Sequence, residues 1–137
     1  MIEAIRARLE AEVADFESVR TIADLGNLVD GAQRHQLPAA FVHLVADRAD
    51  KNTLATQAVM QRLTREVGVL IVVSATGQSR VPEPIEPLVT KARTALLGWA
   101  PDDLEPLHFL AGQIVRIAGG TAMWLDRWTT TDHLRSI

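Results

Sequence analysis

Residues 59–75 constrain the fold of this chain more than any other stretch. Their odd positions read Val59, Gln61, Leu63, Arg65, Val67, Val69, Ile71 and Val73. The even positions read Met60, Arg62, Thr64, Glu66, Gly68, Leu70, Val72 and Ser74. Side chains alternate between the two faces of an extended backbone, so this pattern predicts one long β-strand with a largely apolar odd face. The even face is polar through Glu66 and apolar only in its second half. Such a strand starts beyond the body of its domain and ends buried on both sides. Gly68 falls between the two regimes, where a bulge or bend is expected.

The remaining segments are shorter. Ile2, Ile5, Leu9, Val13 and Phe16 form an apolar stripe at helical spacing, with Arg6, Arg8, Glu10 and Glu12 on the other faces. Residues 18–22 alternate and read as a brief strand, and residues 23–29 as a helical turn stopped by Asp30-Gly31. After Pro38, the apolar run 39–46 predicts a strand, followed by a polar loop over 47–53. Residues 76–84 are loop by their Gly and Pro content. A second helix begins near Ile85, tolerates Pro87 in its first turn and is stopped by Gly98 and Pro101. Its inner stripe is Ile85, Leu88, Val89, Ala92, Leu96 and Trp99. Residues 107–110 and 113–117 are β-prone, and Gly119-Gly120 turns the chain into a returning strand over 122–129. The order predicts an α+β fold: a mostly antiparallel sheet with helices packed on one face. Val67, Val69, Ile71 and Val73 should then meet Ile5, Leu9, Leu88 and Leu96. At 137 residues the expectation is a single domain over 1–137.

Composition narrows the function classes. The chain has no cysteine, which removes disulfides, thiolate nucleophiles, iron–sulfur clusters and Cys-ligated zinc. Aromatic residues are 4% of the chain and none is Tyr, against a stacking platform for single-stranded nucleic acid. Net charge is −3 but unevenly spread: five basic and nine acidic groups in 1–50, six and three in 51–100, three and five in 101–137. No dense basic face of a free DNA binder is present. Segments of mixed sign suit a chain that meets complementary protein surfaces, and also suit an unevenly charged solvated surface. The N-terminus has charges where a signal peptide needs apolar residues, and the apolar run 67–73 is far below the ~20 residues that cross a bilayer. No membrane partner and a cytoplasmic site of synthesis are therefore expected.

Motifs for catalysis or cofactors are absent. Neither a phosphate-binding nor a dinucleotide-binding glycine pattern occurs, and none of Ser18, Ser74, Ser79 and Ser136 sits in a nucleophile elbow. His35, His43, His108 and His133 have no metal-type spacing, and His43 reads as an outward residue of its strand. Asp102, Asp103 and Glu105 could serve as an acid/base group, but adjacent carboxylates after Ala100-Pro101 are more simply a turn. Lys51, Arg62, Arg65 and Arg80 form either a phosphate-binding patch or a solvated face. Trp124 and Trp128 share a strand face with Asp126 between them, either as core residues or as partly exposed interface anchors. These residues describe an α+β domain with no cofactor and no enzymatic activity.

Five stretches carry a resemblance. They are Met1-Ile2-Glu3-Ala4-Ile5-Arg6-Ala7-Arg8-Leu9, Leu37-Pro38-Ala39-Ala40-Phe41-Val42, and Gln61-Arg62-Leu63-Thr64-Arg65-Glu66-Val67-Gly68-Val69. Ala95-Leu96-Leu97-Gly98-Trp99-Ala100-Pro101 and Met123-Trp124-Leu125-Asp126-Arg127-Trp128 complete the set. In this order, over nearly the whole chain, they resemble the tail terminator family of long-tailed phages. The resemblance implies a virion protein of a phage or prophage tail that forms a ring, typically a hexamer. The ring would sit on the head-proximal end of the tail tube, halt its polymerisation and offer the surface that joins the head. Implied partners are further copies of the chain, the tail tube protein and a head–tail connector or stopper, with DNA only as cargo through the lumen. A head–tail connector or tail-completion protein is the nearest alternative, and a small-molecule-binding α+β domain a more distant one. The residues expected at subunit or tube contacts are Arg48, Lys51, Arg62, Arg65, Glu66, Trp124 and Trp128.

Overall fold

The computed structural model describes residues 1–22, 37–51, 59–74, 85–118 and 120–135. The described elements are α1 (Ile2–Glu12), β1 (Ser18–Thr21), β2 (Ala39–Ala49), β3 (Met60–Ser74), α2 (Ile85–Leu96), β4 (His108–Ala118) and β5 (Thr121–Arg135). The strands form one sheet in the order β1-β2-β3-β5-β4. Only β1–β2 is parallel; the other three pairings are antiparallel. The architecture is α+β, as the sequence predicts. The expected helical turn at 23–29 and the loop at 76–84 lie outside the described residues.

The odd face of β3 is the floor of the main core. Val67, Val69, Ile71 and Val73 pack with Ile5 and Leu9 of α1 and with Leu88, Val89, Ala92 and Leu96 of α2. On the opposite face Leu70 and Val72 join Ala39, Phe41 and Met123 in a second cluster. The late half of β3 is thus buried on both sides, as its sequence requires. At ~25 cal/mol per Å² of apolar surface, such central positions dominate the stability of the fold. α1 ends at Glu12, earlier than its stripe suggests. Val13 leaves the helix with φ −121°, and Val13 and Phe16 reach the core from the following turn. Lys91 of α2 contacts Asp15 at 2.7 Å and Arg8 Nε donates to the Ala95 carbonyl at 3.0 Å, tying the two helices side by side. α2 stops where Gly98 adopts φ +75°, a left-handed conformation that favours glycine.

Three strands also differ from the sequence expectation. β2 continues through the supposed loop to Ala49. Its polar residues are stabilised by the ladder: Arg65 holds Asp47 through two hydrogen bonds of 3.0 and 3.4 Å, and the Asp50 N–H donates to the Arg62 carbonyl. The two β-prone pieces at 107–117 are one strand, β4, with register shifts between Phe109 and Ala111 and between Ile114 and Arg116. β5 runs to Arg135 rather than 129 because it pairs with β3 over all fifteen residues from Met60 to Ser74.

The expected bulge at Gly68 lies elsewhere. The register shift is in β2, between Leu44 and Ala46, and Gly68 itself is paired with His43 and Arg127. Gly68 serves a different purpose. A Cβ there would collide with the His43 imidazole, which lies against the bare backbone.

Candidate assembly surface

β2, β3 and β5 outrun the helices. Residues 46–49, 60–66 and 129–135 form a three-stranded extension, held together by the pairings Glu66–Ala46, Glu66–Thr129 and Thr64–Thr131. Strand alternation assigns its side chains to two faces. On the face shared with the main core lie Arg65 and Asp47, joined in the ion pair described above. On the other face lie Arg48, Arg62, Thr64, Glu66, Arg127, Thr129 and His133. A groove of about 370 Å³ on that face is lined by Ala46, Arg48, Thr64, Glu66, Leu110 and Thr129.

The charges on this face are partly paired. Arg62 approaches Glu105 at 3.8 Å, Glu105 approaches His133 at 3.6 Å, and Arg127 approaches Glu66 at 3.7 Å. All are solvent-accessible contacts at long range, each worth no more than about 1 kcal/mol and screened by salt. Such charges can change partners at little cost. Arg48 and Lys51 are exposed. Of the seven residues expected at contacts, the structure therefore gathers Arg48, Arg62 and Glu66 on one face of the extension. Arg65 sits on its opposite face, and Lys51 just past the end of β2. Arg80 lies outside the described residues.

Trp124 and Trp128 do share a face with Asp126, but it is the helix-covered one. Trp128 is 1% exposed and belongs to the main core, so it takes the core alternative; Trp124 is partly buried against the same cluster. Between them stands a feature that sequence reasoning missed. Asp126, 1% exposed, accepts two hydrogen bonds of 2.9 Å from Arg93 of α2 and one of 2.7 Å from Trp124 Nε1. The Arg93 guanidinium also stacks on Phe109 of β4, 4.4 Å from the ring centroid. Gly112 leaves the space this group occupies, since a Cβ there would meet Asp126 Oδ1 and stand 2.6 Å from Arg93 Nη2. This network locks α2 to the β4–β5 hairpin. The one available signal was a carboxylate between two tryptophans at period two on a core face.

The other candidate groups disperse. Asp102 and Asp103 form a turn, with Asp102 at φ +51°, while Glu105 points to Arg62 and His133. Among the described residues no three His, Asp or Glu side chains gather where they could hold a metal. His43 does not point outward to water as expected. It is half-buried against Gly68, its Nδ1 finds no partner, and burial lowers its pKa below the usual imidazole value. Two further open surface grooves, of about 320 and 420 Å³, lie on and beside α2. No described helix is long and apolar enough to cross a membrane.

Comparison with known proteins adds one match. No curated protein matches the chain. The family model of the phage tail terminator protein, in contrast, matches residues 1–137, the whole chain. The sheet, the helical layer and the charged extension therefore belong to a structural component of a phage tail, and the chain is a member of the phage tail terminator family.

Proposed function

We infer that residues 1–137 act as one terminator domain that forms a ring on the head-proximal end of the tail tube. The ring halts tube polymerisation and offers the surface that joins the DNA-filled head; the chain is not an enzyme. Beyond family membership, one observation carries this reading: the sheet outruns its helical layer, which makes a subunit with two unlike ends. A tube subunit must match itself along the axis, whereas a terminator needs one face for the tube and a different one for the head. Contacts around a ring close by rotation, but repeated axial contacts generate filaments. The body of this subunit is helix-covered and its extension carries loosely paired charges, so neither end repeats the other. Six copies is the count the family reading supports.

Electron microscopy of the pure protein at high concentration tests this. Annular particles are expected, and in the presence of tube ends they should cap one end and stop growth. Long stacked tubes of this protein alone in near-physiological salt would overturn the reading. Rings that bind heads but ignore tube ends would move the role to a head–tail connector.

A further inference from the structure

The described sheet has two open edges, and they are unlike. β1 pairs with β2 only over residues 39–42, so no described strand lies beside residues 43–49. β4 stands at the opposite end of the order, with β5 on one side alone. Both open edges hold aliphatic side chains in water. Leu44 and Val45 of β2 are 44% and 40% exposed, and Ile114 and Val115 of β4 are 46% and 42% exposed. Folded proteins usually blunt such edges with charges or proline, because unpaired backbone groups are a template for another strand. Residues 109–115 of β4 contain neither, only the two register shifts already described, and residues 43–46 of β2 are equally without charge or proline.

We propose that these two edges pair with each other between copies: β4 of one subunit adds, antiparallel, to residues 43–49 of β2 in the next. This rests on the ring reading and says which surfaces make the ring. Strand polarity supports it first. Three successive antiparallel pairings make β2 and β4 run in opposite directions. A neighbour that continues the sheet by rotation therefore presents β2 antiparallel to β4, in the same sense as those three pairings.

The apolar pattern then selects a register. Setting Val115 opposite Leu44 also sets Ile114 opposite Val45, so these four side chains are covered at once, while Leu110, 49% exposed, falls opposite Ala49. Within a subunit Leu44 is level with Val67, and Ile114 is level with Ile71 through Trp124. The register thus displaces each copy by four to five residues along the strands, about 15 Å at about 3.3 Å per residue. Each copy contributes four strands across, β2, β3, β5 and β4, about 19 Å at about 4.8 Å spacing. That displacement over that width is a slant of about 38°, inside the 35–45° tilt that closed sheets adopt. Apolar cover alone fixes this register, and the same register yields the stagger a closed circle of sheets needs. A β4-to-β4 contact would instead be two-fold and would stop at a dimer.

The absence of cysteine makes the test clean. The double variant Leu44→Cys/Val115→Cys, concentrated and mildly oxidised, should run on a non-reducing gel as a ladder of dimers, trimers and larger species. Antiparallel neighbours bring Cα atoms to about 4.5–5.5 Å, within disulfide reach. Val45→Cys/Ile114→Cys is the second pair, used if the first variant does not keep wild-type circular dichroism. Each single variant should remain uncross-linked. Dimers from Val115→Cys alone would replace this contact with the two-fold one. Wild-type rings under the microscope without a ladder from either pair would overturn the edge assignment and leave the ring reading standing. Wild-type monomers at every concentration, again without a ladder, would overturn both.

Discussion

At the scale of single residues, burial decides what each charge can do. Val69 is 1% exposed on the odd face of β3, among α1 and α2 side chains. A Val69→Asp carboxylate would stand directly opposite the Asp126 carboxylate, whose Arg93 is already engaged, and the variant should lose several kcal/mol and with it soluble expression. Asp126 is equally buried but has partners. Arg93→Met would leave its carboxylate with only the Trp124 donor. Breaking a buried pair costs about 3–5 kcal/mol, and the partial exposure of Arg93, 37% of its side chain, puts the loss near the lower end. Urea denaturation should show this, and Arg93→Met/Asp126→Leu should regain much of the loss. His43 sets a pH dependence. Burial holds its folded pKa below the ordinary imidazole value, so the unfolded chain takes up a proton first as pH falls. The stability tied to neutral His43 is complete above about pH 6.5, declines as pH drops through that value and levels off below the folded pKa. Denaturation midpoints between pH 7.5 and 5 should fall less in His43→Gln than in wild type.

At the scale of elements, the sequence was most legible where one period ran long. The alternation of β3 located its buried half, its projecting half and the helix residues it meets. Periodicity also found both described helices, but overran the end of α1, since Val13 and Phe16 stay in the core without staying helical. Strand ends were harder because pairing, not composition, extends them: Asp47 and Arg48 look like loop until Arg65 and Thr64 lie opposite. The two bulges of β4 shift its register and hid a continuous strand. At the candidate contact surface, the basic residues were legible but not their distribution over two faces, which depends on register. The Arg93–Asp126 network was illegible because it joins residues 33 positions apart. That distribution sharpens one prediction. Arg48→Glu/Arg62→Glu reverses two charges on a single face of the extension, and among the described residues the only ion pair lost is the long Arg62–Glu105 contact of 3.8 Å. Melting temperature should stay within a few degrees while ring formation weakens, with a reduced salt dependence, in analytical ultracentrifugation. Unchanged assembly would place the contacts elsewhere.

At the scale of the whole molecule, two strands do the work of a frame. β3 and β5 each run fifteen residues, from the extension through the core without interruption. No hinge separates the part that projects from the part that is buried. Hydrogen exchange should therefore show a gradient along each strand, slowest at 67–73 and faster toward 60–63, rather than an independently opening lobe. The same continuity has a mechanical meaning. A push or pull along the strand direction is shared by fifteen residue pairs loaded side by side, the stiffest way to load a sheet. A sideways load would instead peel one pair at a time. A subunit built on such a frame behaves as a strut rather than a spring, and a circle of them would pass a load from one end to the other with little change of shape.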